Sequence, residues 1–256
     1  DLDQPLHELL PFEEIAHDER YEQITARHVL THRTGFPNWR SETGGEMTIA
    51  FDPGTDFRYS GEGIQYLERV VSHVVGEPIE AILLREVQEP MGFVNNTWFA
   101  ANEELLRVVA HGHSVKRAYD ARPPTRPGMA HSMHTEAGAL ANFMVSILAG
   151  RGLSTETYDE AFTLVSRSQP EVSEHDVPWQ RGFGLGFSIT ESPYGIAFGH
   201  GGNNGDFHAM FEAYRDHGIG YVVMGNNERA WALNEVLRRF LIAGRGVPST
   251  LDGDAP

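Results

Sequence analysis

The sequence predicts an α/β (α+β) fold in which an antiparallel sheet flanked by helices stands beside a helical lobe. Three observations carry that expectation. The first two thirds of the chain alternate segments of helical period with Gly- and Pro-rich breaks. Beyond about residue 180 the pattern changes to four short strand-like segments joined by turns. A last amphipathic segment follows them, and grouped strands beside grouped helices are the signature of an α+β arrangement. A single domain is expected over 1–256, with the helical lobe at about 24–170 and the sheet and terminal helix at about 180–243.

The elements follow in chain order. Residues 1–23 are acidic and broken by proline. A short helix is expected over 24–32, with Ile24, His28 and His32 on one face, ended by Thr34-Gly35-Phe36-Pro37. Tyr59-Ser60-Gly61 precedes a helix whose inner side carries Ile64, Leu67, Val70, Val71, Val74 and Val75, stopped by Gly76 and Pro78. Further helices are expected over 79–87 and 102–110. Another spans 135–149, with Leu140, Phe143, Met144, Ile147 and Leu148 as its apolar stripe and Gly150 as its cap. A helix over 155–166 leads to strands at 182–190, 195–202, 208–214 and 219–224. The final helix, 229–243, turns Ala232, Leu233, Val236, Leu237, Phe240 and Leu241 inward, and the tail from Arg245 is polar.

Bulk composition narrows the function. Hydrophobic residues make up 40% of the 256, enough for a sizeable core. A net charge of −16 argues against nucleic acid and anionic membranes as partners. No apolar run reaches the length of a membrane span. With no cysteine, a disulfide, a thiolate metal site and a cysteine nucleophile are all excluded. The chain opens on Asp1-Leu2-Asp3-Gln4-Pro5-Leu6, which reads as the interior of a domain, so a preceding segment is expected.

The stretch from Phe198 through Gly199-His200-Gly201-Gly202-Asn203-Asn204-Gly205 has two readings. It is an ordinary hairpin whose Gly and Asn supply turn dihedrals. Alternatively, the two glycines after His200 leave a strand edge bare of side chains, against which a substrate backbone lies. Histidine pairs such as His28 and His32, or His111, His113, His131 and His134, have metal-like spacings but lack a carboxylate at a defined position, so no metal or cofactor is expected. Gly112-His113-Ser114 is half of a nucleophile elbow, with Lys116 where the second glycine belongs.

Five blocks in order resemble the serine β-lactamase and penicillin-binding protein superfamily, in its class-C-like, D-alanyl-D-alanine-carboxypeptidase and esterase branch. Residues 24–37, ITARHVLTHRTGFP, are similar to its I-R-H-L-L-T-H-T-S-G-L-P segment. Phe51-Asp52-Pro53-Gly54 with Tyr59-Ser60-Gly61 resembles F-x-P-G…Y-S-N, and Glu89-Pro90-Met91-Gly92 resembles P-L-G-M. Ser132-Met133-His134-Thr135 resembles S-L-x-T, and His200-Gly201-Gly202 the H-x-G form of the K-T-G strand. The resemblance covers roughly 1–243 and implies a β-lactamase/transpeptidase-like fold, a small-molecule or short-peptide acyl substrate, and a periplasmic or extracellular setting.

The resemblance also implies roles. Tyr59 is the phenol that shares proton transfer with a lysine, its pKa lowered by that ammonium. His200 lines the cleft, Gly201 and Gly202 let the acyl donor lie flat, and Ser60 and Gly61 flank the tyrosine on the substrate side. The Asn203 N–H is one of two oxyanion donors. The family's Ser-x-x-Lys motif, which carries the nucleophile, is missing here, and the single lysine, Lys116, has Ser114 at the wrong spacing. Gly61 stands where the family has Asn, which argues against efficient β-lactam turnover and toward an esterase or D-peptidase. The expected function is a serine hydrolase acting through an acyl-enzyme, with its nucleophile outside this chain. The competing readings are a non-catalytic binding homologue and a His-rich metal-dependent hydrolase.

Overall fold

The computed structural model describes residues 1–114, 118, 119, 121–168, 172–174, 177–192, 195–227 and 229–241. Lys116, the last two residues expected in the terminal helix and the tail from Arg245 lie outside them. The helices are α1 (Leu6–Leu9), α2 (Ala26–Leu30), α3 (Gly61–Val75), α4 (Ile79–Leu83), α5 (Glu89–Met91), α6 (Glu103–Val108), α7 (Ala137–Leu148), α8 (Thr155–Ala161) and α9 (Trp231–Leu241). A small hairpin pairs β1 (Gly112–His113) with β2 (Ala118–Tyr119). The main sheet contains β3 (Ser166–Arg167), β4 (Val172–Glu174), β5 (Val177–Phe183), β6 (Ser188–Ser192), β7 (Gly195–Asn203), β8 (His208–Tyr214) and β9 (Ile219–Gly225). Its order is β3-β5-β6-β7-β8-β9 with β4 on β5, every pairing antiparallel. The α+β expectation therefore holds.

Two apolar clusters build the interior. One packs Ile189, Phe198, Phe211 and Ala213 of the sheet against Leu140, Met144 and Ile147 of α7 and Tyr158 and Phe162 around α8. Phe162 stacks on Phe198 at 4.3 Å between ring centroids. The other gathers Phe12, Ile15, Tyr21, Ile24, Phe36, Met47 and Ile49 around Tyr66 and Val70 of α3. Each fully buried side chain of this size contributes about 1.5–3 kcal/mol through area removed from water. Leu2 packs partly against both clusters.

Several boundaries differ from the sequence expectation. The strand expected over 182–190 is the hairpin of β5 and β6, because the Gly184 N–H bonds the Phe187 carbonyl (2.9 Å) and Gly186 takes φ 78°. A Cβ on Gly182 would run into the Ser166 carbonyl of β3, so this strand needs a bare position there. Gly182→Ala is expected to destabilise the fold by about 2–3 kcal/mol, as overpacking does, read as a lower urea midpoint at unchanged slope. The helix expected over 155–166 ends at Ala161, since Phe162 turns into the core and Ser166 enters the sheet. On α3, Val74 and Val75 are exposed; the second cluster reaches only as far as Val70. On α9, Leu233, Phe240 and Leu241 are exposed, with Trp231 beside them. That helix packs against β8 and β9 on one face, and nothing among the described residues covers the other.

Candidate active site

The site lies where the N-terminal helical region meets the sheet. α2 is fixed there at its C-terminus, because the Gly186 N–H bonds the Leu30 carbonyl (3.0 Å) and the Ser166 hydroxyl donates to the Thr31 carbonyl (2.7 Å). Directly after this anchor His32 leaves the helix with φ 54°, a left-handed conformation uncommon for a residue with a side chain. Its carbonyl accepts from Arg58 N–H (2.9 Å) and its Nδ1 accepts from Ser60 N–H (3.1 Å). One histidine thus holds the backbone on both sides of Tyr59. Since Nδ1 is an acceptor, the ring proton of the neutral form sits on Nε2.

The His32 ring also forms the bed of the phenol. Tyr59 lies over it at 4.1 Å, tilted by 34°. Phe183 meets His32 edge-on at 4.5 Å and Tyr59 at 5.6 Å, while His200 lies 6.3 Å from Tyr59 and 6.0 Å from Phe183. His32 is only 3% exposed, and burial, with a smaller contribution from His200, drives its pKa down to about 3. Burial likewise lowers the His200 pKa. The site therefore presents two neutral imidazoles at neutral pH. Tyr59 keeps 36% of its surface open, yet burial of its ring raises the hydroxyl pKa above 10. Within the described residues nothing opposes that rise.

The sheet supplies the opposite wall. β6 pairs with β7 only as far as Ser188 opposite Gly199, whereas β8 continues to pair through Asn203 opposite His208. Among the described residues, His200, Gly201, Gly202 and Asn203 therefore have a strand partner on one side and an open edge on the other. In an antiparallel pair alternate residues turn their N–H and C=O away from the partner, so this edge offers backbone groups to an extended ligand. Gly201 and Gly202 are exposed, with no side chain to fill the edge. The Asn203 carboxamide braces the turn by accepting from Gly205 N–H (3.0 Å).

Ser60 and Gly61 are placed differently from the role the resemblance implies. Ser60 is 1% exposed; its Oγ accepts from Gly63 N–H (2.9 Å) and donates to the Pro37 carbonyl (2.8 Å), so it caps α3 and its hydroxyl is not offered to a ligand. The Gly61 N–H bonds Asn38, and the indole of Trp39 covers its Cα. His28 and His32 do not share a helix face: His28 closes the α2 capping box with Thr25, while His32 lies beyond the helix end. Among the described residues no three His, Asp or Glu side chains come together as metal ligands. His32, Trp39 and Phe183 are the site residues that sequence reasoning missed. The T-H-R-T-G-F-P block contains His32, but nothing in it shows that the ring faces Tyr59 27 residues later in the chain.

Comparison with known proteins fits this architecture. The Beta-lactamase family model matches residues 1–241. Among solved structures, the octameric penicillin-binding protein homologue from Pyrococcus abyssi superposes with a TM-score of 0.76 at 19% identity, over 98% of this chain and 61% of that one. The D-stereospecific amidohydrolase from Streptomyces sp. gives 0.74 at 20% identity, over 94% of this chain and 79% of the other. The D-amino acid amidase from Ochrobactrum anthropi SV3, complexed with D-phenylalanine, gives 0.74 at 17%, over 95% and 84%. At these identities the likeness concerns the fold. The chain thus spans about three fifths of the first of these proteins. A search of curated protein sequences finds no match. Among the described residues no helix is long and apolar enough to cross a membrane.

Proposed function

Because the chain belongs to the Beta-lactamase family, we propose that it forms the cleft of a serine hydrolase that cleaves an ester, an amide or a D-amino-acid peptide through an acyl-enzyme. The nucleophilic Ser-x-x-Lys lies on a segment outside these 256 residues. The observation that carries the reading is the partly exposed Tyr59 phenol, seated on neutral His32 and 6.3 Å from the ring of His200, where the edge at 200–203 begins. Support for a neighbouring segment comes from α9 and β9: among the described residues the strand ends the sheet, and Trp231, Leu233 and Phe240 expose apolar surface beside it.

The chemistry follows from these positions. A serine oxygen attacks the carbonyl carbon while its proton passes to Tyr59 Oη, held as phenolate by the adjacent ammonium. The carbonyl oxygen becomes the oxyanion, stabilised by the Asn203 N–H and the serine's own N–H. Tyr59 then returns the proton to the leaving oxygen or nitrogen as the scissile bond breaks. Water, deprotonated by the same phenolate, hydrolyses the acyl-enzyme. Neutral imidazoles at His32 and His200 suit this sequence, since a second buried cation would stabilise the phenolate too far for it to act as a base.

Intact mass of the full-length gene product, before and after a fluorophosphonate probe, tests the reading. The expected result is one adduct, localised by peptide mapping to a serine upstream of Asp1. A full-length product with no Ser-x-x-Lys and no adduct refutes the hydrolase reading. It would favour the non-catalytic binding homologue, the alternative that the lack of the motif within this chain supports.

A further inference from the structure

Residue 61 opens α3 two positions after Tyr59, and no side chain grows from it. A Cβ there would lie 2.8 Å from Cη2 of Trp39, 3.0 Å from Cζ2 and 3.1 Å from Cζ3, so the six-membered ring of the indole occupies that volume. Fixed backbone places the ring. On one side Asn38 accepts from the Gly61 and Glu62 N–H groups; on the other, Arg40 donates its N–H to Glu62 (3.0 Å) and its guanidinium pairs with the same buried carboxylate (2.9 Å). The indole also meets the His131 ring at 5.5 Å between centroids, tilted by 52°. The His131 carbonyl in turn accepts from the Asn204 side chain (3.2 Å), directly after the open edge at 200–203. Trp39 and His131 therefore span the cleft from the start of α3 to the end of β7.

We propose that this pair is a specificity wall that selects acyl donors carrying an aromatic or large apolar group beside the scissile carbonyl. This inference rests on the hydrolase reading above for its reaction, though not for its binding. The site offers a half-buried aromatic face where a carboxamide at position 61 would offer hydrogen bonds. An aromatic face rewards apolar and π-bearing groups. An acyl group with only a methyl at that place forgoes the contact, and discrimination of this kind amounts to roughly 10- to 200-fold per hydrophobic increment.

The test is binding first, turnover second. Calorimetric titration of the full-length protein with phenylacetamide and with acetamide is expected to show at least tenfold tighter binding of the aromatic amide. Trp39→Ala should weaken phenylacetamide about tenfold and leave acetamide within about threefold. Trp39→Gln, which keeps most of the volume, serves if the alanine variant does not fold, with the same expected loss. Equal weakening of both ligands, or none, overturns the wall. In the acylating enzyme the same ratio should appear in kcat/KM for p-nitrophenyl phenylacetate over p-nitrophenyl acetate. An enzyme that binds selectively yet forms no probe adduct refutes the hydrolase reading alone. One that hydrolyses both esters with a ratio unmoved by Trp39→Gln refutes the wall alone.

Discussion

Tyr59→Phe in the full-length, serine-bearing protein is expected to lower kcat by about 10²- to 10⁴-fold with KM changed by less than about threefold, the range for loss of a positioned general acid–base group. The substitution removes one oxygen and leaves the ring. The tilted contacts with His32 and Phe183 are made by the ring, so the thermal midpoint should move by no more than about 2 °C. This separation makes the experiment decisive. A folded variant that forms acyl-enzyme at the wild-type rate would remove Tyr59 from the proton path and leave the base to be found elsewhere. Because burial holds the phenol above its ordinary pKa in this chain, the wild-type rate should also depend on the neighbouring cation. Replacing the lysine of the Ser-x-x-Lys motif by Met should reproduce much of the Tyr59→Phe loss, and the double variant should lose little more than either single one, as residues acting as a unit do.

The second large effect concerns stability in acid. In the unfolded chain His32 binds a proton at its ordinary pKa of 6.5, whereas in the folded protein it stays neutral down to about 3. Between those values the unfolded state holds more protons, so stability rises with pH across the window and is lost as pH falls through it. Over the full window this amounts to about 5 kcal/mol. Two structural costs accompany protonation: Nδ1 can no longer accept from Ser60 N–H, and a charge is placed beside the Tyr59 and Phe183 rings with little water. His200, its pKa also lowered by burial, adds in the same direction.

Urea unfolding of wild type and His32→Asn at pH 7, 5 and 4 reads this out, asparagine being chosen because it tolerates the left-handed backbone. The variant should be about 2–3 kcal/mol less stable at pH 7, from the lost packing and a weakened hold on Ser60, and the difference should shrink as pH falls. A difference that stays constant from pH 7 to 4 would mean that His32 is not held neutral by the fold. In that event the support under Tyr59 would need another explanation.

The sequence by itself determined the α+β class, the order of its helices and strands, and Tyr59 and the 198–205 stretch as places to look. These depend on local signals: periodicity in α7, Gly76 as the stop of α3, Gly and Asn between β7 and β8, and motif blocks that survive as short words. Tertiary structure decided what those signals cannot reach. The strand expected over 182–190 became a hairpin because the Gly184 N–H bonds the Phe187 carbonyl and Gly186 takes a left-handed φ, a tight turn that periodicity does not see. The apolar residues Val74, Val75, Leu233 and Phe240 matched an inward stripe and lie exposed, since a helical pattern shows which face is apolar but not what covers it. His32 looked like half of a histidine pair on one helix. One left-handed residue after α2 turns its ring under Tyr59 and its carbonyl toward Arg58, and that turn follows from the anchoring of α2 to Ser166 and Gly186. Gly61 looked like a missing side chain. Only packing showed that Trp39 fills the space, because the two residues meet across 22 positions of chain through hydrogen bonds of Asn38 and Arg40 to the start of α3.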